Sequence, residues 1–193
     1  MSLPHLWIFA GPNGAGKSTL AQRYVAGRVE IINPDNIAIE IAPNQQTTPA
    51  IASKAGRIAI ERRHALLKLG QSFAIETTLS GQGECAFMKD ALDRGFKINL
   101  VFVGVSSVYQ SRSRVSERIL RGGHAVPPAD IKRRFGRSMT HLAQAIQIAH
   151  RVLLIDNSSK RLRLLVSCEN GRVKHISAHL PRWVQTVADS LIG

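Results

Sequence analysis

Apolar residues in this chain fall into two alternating patterns. Short apolar runs, His5–Ala10, Phe73–Thr77, Lys97–Val105 and Arg151–Ile155, have the length and density of strands buried on both faces. Between them lie helical segments: Lys17 to Ala26, the stretch with near-helical apolar spacing from Ile51 through Ala55, Ile58, Ala65 and Leu69 to Gly70, Glu84 to Arg94 closed by Gly95, Val108 to Arg121 with Arg or Lys on several faces and Gly122-Gly123 after it, and a helix from about Ala129 with Met139, Leu142, Ile146 and Ala149 on one stripe. Glu30–Ile32 is a short strand candidate running into the turn residues Asn33-Pro34-Asp35-Asn36, and Pro43–Pro49 is polar and irregular. Leu162–Ser167 and Arg172–Ile176 flank Glu169-Asn170-Gly171, a hairpin signal, and Pro181 opens a last helix carrying Trp183, Val184, Val187 and Leu191. Strand and helix alternate from residue 5 to 155. The expected fold class is therefore α/β, a mainly parallel sheet with helices on both faces, followed by a C-terminal β-hairpin and helix over 162–193.

The turn after the first strand narrows this to a P-loop NTPase of kinase-like type. Gly11-Pro12-Asn13-Gly14-Ala15-Gly16-Lys17-Ser18 satisfies G-x-x-x-x-G-K-[ST], with a buried strand before it and a helix after it. Glycines let backbone N–H groups wrap phosphate oxygens, and the helix N-terminus adds its dipole. Lys17 is expected on the β- and γ-phosphates, the Ser18 hydroxyl on Mg²⁺, and Thr19 nearer the α-phosphate. The cofactors implied are ATP, or another purine triphosphate, and Mg²⁺.

Three carboxylates stand at expected C-terminal strand ends, where ligands bind in open α/β sheets. Asp35 suits a base for an acceptor hydroxyl, or a cap for a helix starting near Asn36. Glu76 suits an acceptor hydroxyl or a metal-bound water, or is a charge at the sheet rim. Asp156 ends an apolar strand as a metal-binding Walker B acid does, but its late place also suits a base-lining or strand-terminating residue.

Charge sharpens the picture. The 193 residues carry 26 Lys and Arg against 13 Asp and Glu, a net charge of +13, which favours phosphates of any kind. Eight of the basic residues lie between 110 and 137 (Arg112, Arg114, Arg118, Arg121, Lys132, Arg133, Arg134 and Arg137), against Glu117 and Asp130. With the Gly122-Gly123-His124 hinge, this segment is expected to form a basic lid over phosphates. The composition is that of a globular chain, read as a single domain over 1–193. Two cysteines without ligand spacing argue against disulfides and zinc. The longest apolar run is far below the roughly 18 residues of a membrane span, and no basic region precedes the first apolar stretch, so a cytoplasmic protein is expected. Aromatics make up only 5% of the chain, so a nucleic-acid acceptor is less favoured than a small molecule.

Taken in order, the Gly11–Thr19 loop, Asn33-Pro-Asp-Asn36, Ala74-Ile-Glu-Thr-Thr-Leu-Ser80, Gly122-Gly-His-Ala-Val-Pro127, Asp130-Ile-Lys-Arg-Arg134 and Ile155-Asp-Asn-Ser158 resemble the zeta-toxin family of P-loop kinases over most of residues 5 to 160. The resemblance implies ATP-dependent phosphorylation of a hydroxyl, in that family typically on UDP-N-acetylglucosamine, and an antitoxin protein as partner. Carried over by motif, Lys17, Asp35 and Arg118 are catalytic, with Asp35 the base and Arg118 a lid arginine. Glu76, Thr78, Arg121 and His124 are acceptor contacts. The second lid arginine of the family has no single match; His124, Arg121 and Arg134 are candidates for its place.

Overall fold

The computed structural model describes residues 3–43, 45–120 and 126–188. In chain order its elements are β1 (His5–Ala10), α1 (Lys17–Val25), β2 (Glu30–Ile32), α2 (Pro34–Ile41), α3 (Pro49–Lys68), β3 (Phe73–Thr77), α4 (Gly83–Asp93), β4 (Lys97–Gly104), α5 (Val108–Leu120), α6 (Pro128–Ile148), β5 (Arg151–Asp156), β6 (Arg163–Glu169), β7 (Arg172–Ile176) and α7 (Arg182–Ala188). The seven strands form one sheet in the order β2-β3-β1-β4-β5-β6-β7. The first five are parallel; β6 and β7 add antiparallel strands to one edge. This is a P-loop NTPase fold of kinase-like type.

Side-chain alternation builds two cores from the same strands. Leu6, Ile8 and Ala10 of β1, with Val152 and Leu154 of β5, face the larger core, which α2, α3, α4, α6 and α7 cover. Phe9 of β1, Val101 and Val103 of β4 and Ile155 of β5 face the smaller one, beneath Leu20, Ala21 and Val25 of α1. Burial from both sides explains why the central strands read as continuous apolar runs.

Local chemistry fixes several boundaries. Thr48 caps α3, its hydroxyl accepting from the Ile51 N–H at 3.3 Å, and Pro49 occupies the first helical position. At the β6–β7 hairpin, Asn170 and Gly171 have φ of 49° and 73°, a left-handed pair that matches the twist of the flanking strands. That hairpin extends the main sheet, because β6 pairs with β5 along its length.

One expectation is corrected. Asn33-Pro34-Asp35-Asn36 is not a turn ahead of a later helix: α2 begins at Pro34. Proline suits a first helical position, and the Asn33 side chain accepts from the Asp35 N–H at 2.9 Å. Asn33 is therefore the cap, which removes that alternative role from Asp35.

Candidate functional site

Strand register gathers the site at one edge of the sheet. β1 and β3 are neighbours, with Ala10 level with Thr77 and Phe9 level with Glu76. The phosphate loop leaves β1 level with the end of β3, beside Glu76 and Thr77. β2 lies on the other side of β3, with Ile32 level with Ile75, so α2 starts at the same edge. The chain crosses from β2 and β3 on one side of β1 to β4 on the other. Such a reversal opens a crevice at the carboxyl ends of the strands.

The loop is held in place from two sides. Asn157 Nδ2 donates to the Ala15 carbonyl at 2.8 Å, and Ser111 Oγ on α5 donates to the Asn13 carbonyl at 2.5 Å. Gly11 has a φ of +136°, and a Cβ there would collide with the Val103 carbonyl oxygen of β4. Only glycine fits that close approach. The Lys17 ammonium donates to the Pro12 carbonyl at 3.0 Å. Burial lowers its pKa to about 8, while Glu76 and Asp35 favour its charged form.

A cleft of about 450 Å³ opens beside the loop. Asn13, Gly14, Lys17, Ser18, Asp35, Glu76, Thr78, Arg118 and Arg134 all line it, together with residues of α3 and α4. Ser18 Oγ donates to Glu76 Oε2 at 2.6 Å. Burial raises the Glu76 pKa, and the Ser18 hydrogen bond and Lys17 charge pull it back. Across the cleft, Arg118 of α5 reaches Asp35 of α2, Nη1 to Oδ2 at 3.9 Å. Both side chains are partly open to solvent, so this contact adds little to stability. Arg134 of α6 also faces the cleft and lies 4.0 Å from Asp130. The Thr78 hydroxyl shares a 2.8 Å hydrogen bond with Ser80.

Thus Lys17, Ser18, Asp35, Glu76, Thr78 and Arg118 come together in one cleft. Gly11, Pro12, Ala15 and Gly16 shape the loop from behind rather than line it, and Thr19 is exposed outside the cleft. Arg121 and His124 lie outside the described residues. Asp156 takes no place in the cleft. It accepts from the Ser158 N–H at 3.2 Å and faces Arg163 at 3.6 Å, ending its strand, while its neighbour Asn157 supports the loop. Sequence reasoning missed Arg63 of α3 and Glu84 of α4, both in the cleft wall. The near-helical spacing that marks α3 says which face is apolar, not that its Arg63 lines the same cleft as the phosphate loop.

The donor set fits a magnesium ion. Ser18 and Glu76 offer hard oxygen atoms side by side, and Ser18, Lys17 and the Asn33 side chain all favour the charged carboxylate that such an ion needs. No group of three or more His, Cys, Asp or Glu gathers to hold a metal among the described residues. A nucleotide-bound Mg²⁺ takes few protein ligands, so Ser18 and Glu76 are enough. No helix among the described residues is long and apolar enough to cross a membrane.

Comparison with known proteins places this geometry. An uncharacterized protein of Haemophilus influenzae is 34% identical over 138 residues, 67% of this chain and 96% of its own length. A chain of the AvrRxo1-ORF1:-ORF2 structure with ATP superposes with a TM-score of 0.73 at 16% identity, over 97% of this chain. This chain covers 63% of that one. A chain of the PezAT chromosomal toxin–antitoxin system of Streptococcus pneumoniae superposes with a TM-score of 0.59 at 15% identity, over 98% of this chain and 86% of its own. At such identities these two show the fold. The AAA_33 family model, described as an AAA domain, matches residues 6–142, from β1 through the phosphate loop and cleft to the middle of α6, and the chain belongs to that family.

Proposed function

We propose that this chain is an ATP-dependent kinase that phosphorylates a hydroxyl of a small-molecule acceptor, with a nucleotide sugar such as UDP-N-acetylglucosamine the favoured class. The observation that carries the reading is the meeting of Asp35 and Arg118 at 3.9 Å in the cleft that Lys17, Ser18 and Glu76 also line. Phosphoryl transfer requires a positioned carboxylate for the acceptor, cations for the moving charge, and a phosphate cradle. Asp35 takes the proton of the acceptor hydroxyl as its oxygen bonds the γ-phosphorus. The bond to the bridging oxygen breaks, and ADP leaves with the electron pair. Lys17 and Arg118 share the developing charge. Ser18 and Glu76 would hold Mg²⁺, directly or through water, and when bound the ion neutralises phosphate oxygens.

The cleft lining supports a small acceptor over a nucleic-acid end. No aromatic side chain lines it among the described residues, so it offers no base-stacking platform. The resemblance to toxin kinases, and the two-component complexes in which similar folds were solved, support a protein partner as a second, compatible reading. A stable protein that co-purifies and blocks nucleotide binding is the outcome that favours it.

The test is to incubate the protein with labelled ATP and a metabolite extract, UDP-N-acetylglucosamine first, and identify the labelled product by mass spectrometry. Asp35→Ala is expected to cut transfer about a thousandfold, the scale of a lost general base. Its affinity for the non-hydrolysable analogue AMP-PNP should stay within about threefold of wild type. An active Asp35→Ala protein overturns the base assignment.

A further inference from the structure

One wall of the cleft belongs neither to the phosphate loop nor to α5 and α6. Gly56, Ala59, Ile60 and Arg63 of α3 line it. They stand at positions i, i+3, i+4 and i+7 of one helix face, about 10 Å along its axis. The wall is open at its small end: a Cβ on Gly56 would meet nothing within 4 Å. At its other end lies Arg63. Its guanidinium sits over the Phe87 ring, 4.4 Å from the centroid, and its Nε is buried without a hydrogen-bond partner among the described residues.

Arg63 is thus a fixed but incompletely satisfied cation. Burial works against its charge, and Glu84 offsets only part of that cost. Glu84 itself accepts from the Thr77 hydroxyl at 3.1 Å. A guanidinium stacked on a ring still presents its N–H edge, the geometry that takes an oxyanion in a fork. Stacking holds the group in place, so less freedom is lost when the anion binds. The charges that act on Lys17 are those of Glu76, Asp35, Arg118 and Arg134, whereas the charge that acts on Arg63 is that of Glu84, which sets Arg63 apart from the phosphate loop within the same cleft.

We propose that Arg63 is the anion-binding residue of the acceptor half of this cleft, and that the acceptor carries an oxyanion group besides the hydroxyl it presents to Asp35. Its body then lies along Ala59 and Ile60, with room beside Gly56. An uncharged sugar or polyol leaves the Arg63 edge unmatched and is a poor acceptor. The inference rests on the kinase reading for the word acceptor, but its test needs no turnover.

The experiment is calorimetric titration of the full chain, saturated with AMP-PNP and Mg²⁺, with inorganic phosphate and separately with acetate. Wild type should bind one further anion, and the better of the two probes separates a phosphate-bearing from a carboxylate-bearing acceptor. Arg63→Gln should weaken that binding at least tenfold, with AMP-PNP affinity within threefold of wild type. Arg63→Lys keeps the charge and loses the fork, and should fall between; it carries the decision if thermal melting shows Arg63→Gln to be unfolded. Wild type that binds neither anion overturns the proposal, as does equal binding by the variants. A matching loss of AMP-PNP affinity also overturns it, because Arg63 then serves the nucleotide. Should AMP-PNP fail to bind wild type, the phosphate-loop reading falls, and the same pair still decides Arg63 by whether one phosphate site disappears.

Discussion

Burial draws the Lys17 ammonium down from the usual lysine value of 10.5 to about 8, with Glu76 and Asp35 opposing the shift. In the unfolded chain the same group titrates at its ordinary value. Below pH 8 the empty fold therefore carries the full penalty of a buried charge. The penalty fades as pH rises from 8 toward 10.5, because the folded chain then releases its proton first. Phosphate oxygens reverse this balance by supplying the missing partner, and they hold the proton on. Nucleotide affinity is thus expected to be flat from pH 6.5 to 7.5 and to fall above about 8, by at most tenfold per pH unit. Titration of AMP-PNP with Mg²⁺ between pH 7 and 9.5 measures it. An affinity unchanged at pH 9.5 would mean that Lys17 does not meet the phosphates. Asp35 shows the other side of residue-scale reasoning. Its type and neighbours suit a base or a cap, and the observed Asn33 cap removes the second of these.

At the scale of elements, α2 matters more than its eight residues suggest. It carries Asp35 in its first turn, and the Asn33 side chain accepting the Asp35 N–H at 2.9 Å sets where that turn begins. Asn33→Ala should cost about 1 kcal/mol in urea unfolding, the usual worth of a cap. It should also lower turnover while leaving AMP-PNP affinity unchanged, since the loop after β1 is untouched. Asn33→Ser, which can cap, should recover most of both. Loss of stability without loss of turnover would show that Asp35 is placed by packing instead. The hairpin gives the contrasting case: Asn170-Gly171 dictates its own left-handed turn, so β6 and β7 are legible in sequence. Where the hairpin docks is not, because an exposed strand edge accepts any partner of matching register, and β5 offers one.

At the scale of the whole molecule, the last helix closes the larger core. Trp183 is nearly buried against Phe102, ring centroids 5.6 Å apart, and lies so close to Gly104 that a Cβ there would strike its ring. Residues at opposite ends of the chain thereby share one cluster with α6. Trp183→Ala should cost about 3 kcal/mol, the lower range for emptying a large aromatic site, and lower the melting temperature by roughly 10 °C. A loss under about 0.5 kcal/mol would show that α7 is dispensable to the core. The net charge of +13 acts at this scale too, since it drives the fold toward anions before any specific contact forms.

The sequence alone determined the strands, most helices, the phosphate loop and the hairpin turn. Those features rest on short-range physics: periodicity, proline and glycine backbone limits, and a run of N–H groups that eight consecutive residues can form. Tertiary structure decided the rest. Asp35 and Arg118 are 83 positions apart, and the order β2-β3-β1-β4 and the α5 packing bring them within 3.9 Å. Glu76 became the neighbour of Ser18, and Asp156 did not, because β3 adjoins β1 while β5 stands one strand further away. Arg63 entered the cleft from a helix whose sequence marks only its apolar face. Contacts of that kind follow from which strands pair and which faces bury together, a choice made by the free energy of the whole chain and not by any one segment of it.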